Sequence, residues 1–175
     1  MEEIELIKRI ASGDEEALAK LIRIYKGRIF LYVYGLLHNY EDSEEATVET
    51  FFQVWRSAKR FKGRSKVSTW LFSIARNVAM KALRKRRHGT LIFELYELDT
   101  FVQDVELPQD VELLRRAIEK LPPAQREVIH LAFYEELPYS EIAQILGVPE
   151  STVKTRVFYA KKKLRQVIKE LQDES

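Results

Sequence analysis

SEIAQILGVPESTVKTRVFYAKKK, residues 140–163, reads as a helix, a tight turn and a second helix whose outward face is basic. Ser140 is placed to cap the first helix by accepting a backbone N–H. Ile142, Ala143, Ile145 and Leu146 give that helix an apolar side. Gly147 supplies the left-handed residue that ends it, and Pro149 sits at or just before the first turn of the next. Two helices joined by so short a turn cross steeply, which is the geometry that presents the second one to a DNA major groove.

The final helix is expected to extend to about Leu171. At about 100° per residue, Val153, Val157, Ala160, Leu164, Val167 and Leu171 form one apolar stripe. The opposite face carries Ser151, Lys154, Thr155, Phe158, Tyr159, Lys162 and Arg165. Lysine and arginine there suit phosphates, while Thr155, Phe158 and Tyr159 offer hydroxyl or apolar contact to base edges and thymine methyls. The competing reading of Phe158 is a side chain that packs under a linker or a partner.

Working outward, charge is segregated along the chain although the net charge is only +2. Residues 1–49 hold 11 acids and 6 Lys/Arg; residues 50–93 hold 12 Lys/Arg and no acid. Residues 89–114 hold 7 acids and no base, and residues 151–169 hold 7 bases and no acid. Two basic blocks separated by an acidic one indicate two surfaces that meet a polyanion, joined by a segment that avoids it.

Nearly everything outside residues 89–108 has helical period. Helices are expected over 2–11, over 15–38 after a stop and cap at Ser12-Gly13-Asp14, and from a Ser43 cap to about Lys59. Arg60–Val67 is a Gly-containing loop, and Ser68 caps a helix reaching about Arg87. Val48, Phe51, Phe52 and Trp55 fall on the apolar stripe of the third helix. Helices resume at 109–120 and 124–133, split by Leu121-Pro122-Pro123. The segment between mixes apolar and acidic residues without a stripe, and Leu91, Ile92, Phe93, Leu95, Tyr96, Phe101 and Val102 are expected to dock on something. The fold class is therefore all-α: two small helical domains, 1–88 and 109–175, joined by a flexible linker at 89–108, with the helix-turn-helix in the second.

On the helix from Ser68, Leu71, Ile74, Ala75, Val78 and Ala82 form the core stripe. Trp70, Ser73, Asn77, Met80 and Arg84 lie on the other side, beside the loop Phe61, Lys62, Gly63, Arg64 and Ser65. Cations alone would serve any duplex. An aromatic and an amide beside a cationic loop can stack on and hydrogen-bond an unpaired base, which favours single-stranded DNA; the competing readings are Trp70 as a half-buried core residue and Asn77 as a plain surface amide.

Other classes fit less well. Cysteine is absent, which removes disulfides, thiolate metal sites and thiol nucleophiles and suits a reducing cytoplasm. His38, His88 and His130 are far apart, and each reads as a surface or helix-end residue rather than a ligand. No metal or cofactor is expected, and no enzyme activity. The acidic, amphipathic N-terminus is unlike a signal peptide, and no apolar run approaches the roughly 18–20 residues of a membrane span.

Two stretches resemble a known family. DSEEATVETFFQVWRSAKRFKGRSKVSTWLFSIARNVAMKALRKRR, residues 42–87, is similar to the second conserved region of extracytoplasmic-function (ECF) bacterial sigma factors. LPPAQREVIHLAFYEELPYSEIAQILGVPESTVKTRVFYAKKKLR, residues 121–165, is similar to their fourth region, and the order and spacing match. The resemblance implies a monomeric promoter-specificity subunit that binds core RNA polymerase through the helix 43–59, with Glu45, Glu49, Thr50 and Gln53 as contacts. It implies that the loop 61–65, Trp70, Ser73 and Asn77 hold a base flipped from the −10 element. It further implies that Ser151, Lys154, Thr155, Phe158, Tyr159 and Lys162 read the −35 duplex, and that an anti-sigma factor is a partner. Three departures stand out: Val48 where the family commonly has Gln, Ala46 in place of a larger aliphatic, and Tyr159 where some members carry a base-reading Arg. The rival is a free-standing helix-turn-helix regulator that binds duplex DNA as a dimer; 12 cations without an acid in residues 50–93 argue against using that region for dimerisation.

Overall fold

A computed structural model describes residues 2–88 and 109–174. The described residues form eight α-helices and no strand. The chain folds as two compact units that part within the segment between the fourth and fifth helices. The expected linker at 89–108, with the docking residues proposed for it, lies outside the described residues.

The first unit contains α1 (Glu2–Ala11), α2 (Glu15–Leu37), α3 (Tyr40–Ser57) and α4 (Val67–His88). α2 is its spine. Ala17, Leu21, Tyr25, Ile29, Val33 and Leu37 recur every four residues and are all buried, and α1, α3 and α4 pack against this helix. Asp14 caps α2, its carboxylate accepting from the Ala17 N–H at 3.1 Å. That bond, and then Arg9, holds the Asp14 carboxyl below its ordinary pKa. α2 ends at His38, which is left-handed at φ 53° and donates its N–H to Tyr34.

α3 begins three residues before the expected Ser43 cap. Asn39 takes that role, its side chain accepting from the Asp42 N–H at 2.9 Å. Ser43 is instead buried, as are Thr47 and Thr50. Their hydroxyls donate to the carbonyls of Asn39, Ser43 and Ala46 at 2.6–2.7 Å. Satisfied hydroxyls of this kind can be buried at little cost. They fill the core side of α3 with Ala46, Phe51 and Val54, and this displaces two apolar residues outward: Val48 is 69% exposed and Phe52 54%. Val48, Phe51, Phe52 and Trp55 share one stripe as expected, lining a single groove, but Phe51 alone of the four is buried.

A 3-10 turn, Ala58–Arg60, follows α3. α4 starts at Val67, with the Lys66 carbonyl accepting from the Trp70 N–H at 3.1 Å, so Ser68 is not its cap. Leu71, Phe72, Ala75, Val78 and Ala79 are buried, and Phe72 meets Tyr32 edge-on at 5.3 Å. At the far end of α4, Arg86 donates to the Leu37 carbonyl at 2.7 Å and pairs with Asp42. One guanidinium thereby satisfies the C-terminus of α2 and ties it to the first turn of α3.

The second unit contains α5 (Gln109–Glu119), α6 (Pro123–Ile129), α7 (Tyr139–Leu146) and α8 (Glu150–Asp173). α6 does not run evenly to 133 as its period suggests: it widens at His130–Tyr134 into a π-helical turn, and Glu136 then adopts a left-handed conformation at φ 54°. α7 starts after Pro138, with Ser140 inside the first turn and exposed rather than capping. Gly147 is left-handed at φ 67° and, with Val148, donates to the Ala143 carbonyl. Pro149, at φ −62° and ψ 151°, turns the chain into α8. α5, α6 and α7 all pack on α8, where Val153, Val157, Ala160, Val167 and Leu171 are buried. Near its C-terminus, Val167 and Leu171 cluster with Ala117.

Two stability effects follow. Replacing Arg86 with Leu keeps the aliphatic stem but strands the Leu37 carbonyl and Asp42; a loss of about 1–3 kcal/mol is expected by chemical denaturation of the first unit. His130 is largely buried and stacks on Tyr134 at 4.9 Å, and burial lowers its pKa to about 4. It folds neutral, so the unfolded chain takes up a proton that the fold resists. Stability of the second unit should therefore be full above about pH 6.5 and fall as the pH drops towards 4, by on the order of 1–3 kcal/mol. His130→Phe should flatten that slope in thermal melts recorded from pH 7 to 4.

Candidate nucleic-acid interface

α8 is buried on one side and cationic on the other. Ser151, Lys154, Thr155, Phe158, Tyr159, Lys162 and Arg165 are all exposed, as their spacing requires. Phe158 is 61% and Tyr159 52% exposed, with their rings edge-to-face at 5.3 Å. Large aromatics held this far out of the core sit where a groove-binding helix would need them. The Thr155 hydroxyl donates to the Ser151 carbonyl at 2.9 Å, and its oxygen keeps acceptor capacity. Lys161, on the flank of the same face, lies over the ring of Phe133 at 5.0 Å.

The second face is built by α4 and the loop before it. Phe61 and Trp70 are both half-buried, with ring centroids 4.9 Å apart and planes at 40°. Lys62, Gly63 and Arg64 are exposed, and Ser65 is half-buried. Gly63 sits at φ 71°, a conformation that favours glycine. Ser73 is half-buried and donates to the Thr69 carbonyl at 2.8 Å; Asn77 is exposed. Trp70, Ser73 and Asn77 occupy one row of α4, two turns or about 10 Å long. Lys59, Arg60, Lys62, Arg64 and Lys66 in the preceding turn and loop, and Lys81, Arg84 and Lys85 further along α4, are all exposed. Phe61 and Trp70 expose part of an aromatic surface within a dense positive field, and Asn77 adds a hydrogen-bonding edge. Aromatic faces and amide edges are groups that can stack on and hydrogen-bond a base.

The third expected surface, on α3, is partly rearranged. Glu45 is exposed, and Glu49 and Gln53 are half-buried on the same face. Thr50 is fully buried and its hydroxyl is occupied by the Ala46 carbonyl, so it belongs to the core and cannot be a contact. The residues missed were Val48 and Phe52. They sit on the outward face with Glu45, Glu49 and Arg56. The Arg56 guanidinium lies 4.6 Å over the Phe52 ring and bonds Glu49 at 2.9 Å. Beside them a groove of about 590 Å³ opens between α2 and α3, lined chiefly by Leu18, Ile22, Val48, Phe51, Phe52 and Trp55. The recoverable clue was the run of Ser43, Thr47 and Thr50 at spacings of four and three, which marks a helix side as well as an apolar run does.

Among the described residues, no three His, Asp or Glu side chains gather as metal ligands, and no helix is long and apolar enough to cross a membrane.

Comparison with known proteins falls on the same two units. Residues 21–89 match the Sigma-70 region 2 family and residues 111–164 match Sigma-70, region 4. The ECF RNA polymerase sigma factor SigW of Bacillus subtilis is 33% identical over 94% of this chain and 96% of its own length. The ECF RNA polymerase sigma factor RpoE of Cereibacter sphaeroides is 35% identical over 87% of each chain. Among solved structures, CnrH in complex with the cytosolic domain of CnrY superposes with a TM-score of 0.70 at 22% identity, covering 99% of both chains. RpoE of Bartonella quintana, in complex with the anti-sigma factor NepR, gives 0.67 at 23% identity over 86% of this chain and 96% of that one. These last two speak for the fold alone. With both regions matched in order and relatives of 33% and 35% identity spanning most of its length, the chain belongs to the extracytoplasmic-function group of sigma-70 RNA polymerase sigma factors, which bind core polymerase and direct promoter-specific initiation of transcription.

Proposed function

We propose that this sigma factor grips a promoter at two chemically different points, with core polymerase docked on a third surface. α8 enters the major groove of the −35 element: Lys154 and Lys162 meet phosphates, and Ser151, Thr155, Phe158 and Tyr159 meet base edges. Phe61–Ser65, Trp70, Ser73 and Asn77 hold a base unstacked from the −10 element. Extrusion costs a few kcal/mol, so a shaped receptor contributes both melting and selectivity. The exposed row Glu45, Val48, Glu49, Phe52, Gln53 and Arg56 on α3 docks core polymerase. The observation that carries the reading is the Phe61–Trp70 ring pair bracketing a loop whose Lys62 and Arg64 are exposed. A duplex-binding dimer would have no use for it.

The domain roles follow as 1–88 for polymerase and the −10 element, 109–175 for the −35 element, and 89–108 as the link. The chain acts in the cytoplasm as a monomer outside the holoenzyme, catalyses nothing itself and needs no cofactor. Two solved neighbours were captured with an anti-sigma factor or another protein domain, which supports a protein antagonist here as well.

Run-off transcription with purified core polymerase on genomic fragments tests the whole reading. Promoter-specific transcripts are expected; polymerase-independent operator binding without transcripts would contradict it. Trp70→Ala should weaken binding of single-stranded −10 DNA by about 1–3 kcal/mol and leave duplex −35 binding intact. Asn77→Ala should impair promoter opening more than duplex binding, and equal losses in both assays would count against a flipped-base role. Val48→Asp and Phe52→Ala should each weaken holoenzyme assembly by more than about 1 kcal/mol, read by titration of core polymerase. Thr50→Val should not act through that interface.

A further inference from the structure

We infer that α1 is a positioning element for the single-strand grip: it braces the 3-10 turn from which the loop 61–65 springs and so sets where Phe61 and Trp70 receive a base. This rests on the reading that the loop and Trp70 hold single-stranded −10 DNA. It adds a role for a helix that lies before the matched region 2 and touches no nucleic acid in that reading.

α1 has ten residues, too few to be helical by itself in water. Its order comes from packing. Leu6, Ile7 and Ile10 are as deeply buried as the central positions of α2. Its first turn is tied to α2 by the Tyr25 hydroxyl, which donates to Glu3 at 2.7 Å, and by Lys20 to Glu2 at 3.0 Å. Its last turn is held by Arg9 on Asp14 at 2.9 Å. The two ion pairs are exposed and contribute little; the apolar contacts and the part-buried Tyr25–Glu3 bond fix the helix.

What α1 packs against is informative. Besides α2 and α3, it lies on the 3-10 turn Ala58–Arg60, whose Ala58 is buried. The Phe61 N–H donates to the Ala58 carbonyl at 3.2 Å, the last backbone bond before the loop. The Phe61 ring in turn lies against Trp70 at 4.9 Å. The mechanical chain therefore runs from α1 through Ala58 and Phe61 to Trp70. Lys62, Gly63 and Arg64 are exposed, so the loop takes its position from its two ends. One end is the rigid start of α4. The other is the turn, which α1 supports.

The test uses the full chain assembled with core polymerase and a fluorescent single-stranded −10 oligonucleotide. Ile10→Ala opens a cavity under α1; Tyr25→Phe unties the helix without one. Both should weaken oligonucleotide binding, by about three- to thirtyfold for Ile10→Ala and less for Tyr25→Phe, while affinity for core polymerase and for duplex −35 DNA is unchanged. Ile10→Val, which keeps most of the packing, should restore most of the binding. If Trp70→Ala weakens binding and neither α1 variant does, α1 has no positioning role. If Ile10→Ala lowers polymerase affinity in proportion, α1 is only part of the core, and the inference fails. If Trp70→Ala itself has no effect, the single-strand reading fails first.

Discussion

Every helix that meets DNA in this account is asked to face two solvents at once. α4 and α8 each bury one side completely and present the other as a cationic surface carrying aromatics. The buried side does the fixing. Leu71, Phe72, Ala75 and Ala79 lock α4, and Val153, Val157 and Ala160 lock α8. With those side chains immobile, Trp70 and Phe158 cannot rotate inward to hide from water. Their partial exposure is imposed by the core beneath them, and in the proposed function nucleic acid covers them.

The two faces differ because their helices are supported differently. α8 is packed along one side through Val153, Val157 and Ala160 and leaves the other side of its N-terminal half open, a straight face that suits a groove. α4 begins beside a loop whose other end rests on the 3-10 turn, so the row of Trp70, Ser73 and Asn77 adjoins the exposed loop cations Lys62 and Arg64. A rod suits duplex DNA, and a row beside a loop suits a displaced strand. The α3 surface is different again: Val48 and Phe52 expose apolar area beside a groove, with little net charge from Glu49 and Arg56 in contact, which is the composition of a protein interface rather than a nucleic-acid one.

Much of this was legible in the sequence. The apolar stripe of α8, the outward residues opposite it, the left-handed Gly147 and the Asp14 cap all follow from period and residue chemistry. Helix starts were less legible. Ser43, Ser68 and Ser140 each look like caps, yet the backbone enters α3 through Asn39 and α7 through Pro138. A hydroxyl that bonds the carbonyl four residues back is as well satisfied inside a helix as at its end, and Ser43 does this. The same chemistry hid the α3 surface. Ser43, Thr47 and Thr50 could enter the core because the helix itself satisfied them, and Val48 and Phe52 were left outside. The π-helical turn at 130–134 and the left-handed Glu136 carry no residue signature, since neither a glycine nor a proline marks them.

In the proposed function one chain holds duplex and single-stranded DNA together. The direct measurement is the affinity of the holoenzyme for a fork-junction promoter with a duplex −35 element and an unpaired −10 strand, against each element alone. Linked engagement predicts that the fork binds about 10²–10⁴-fold more tightly than either half. An affinity for the fork no greater than that of the duplex half alone would contradict it.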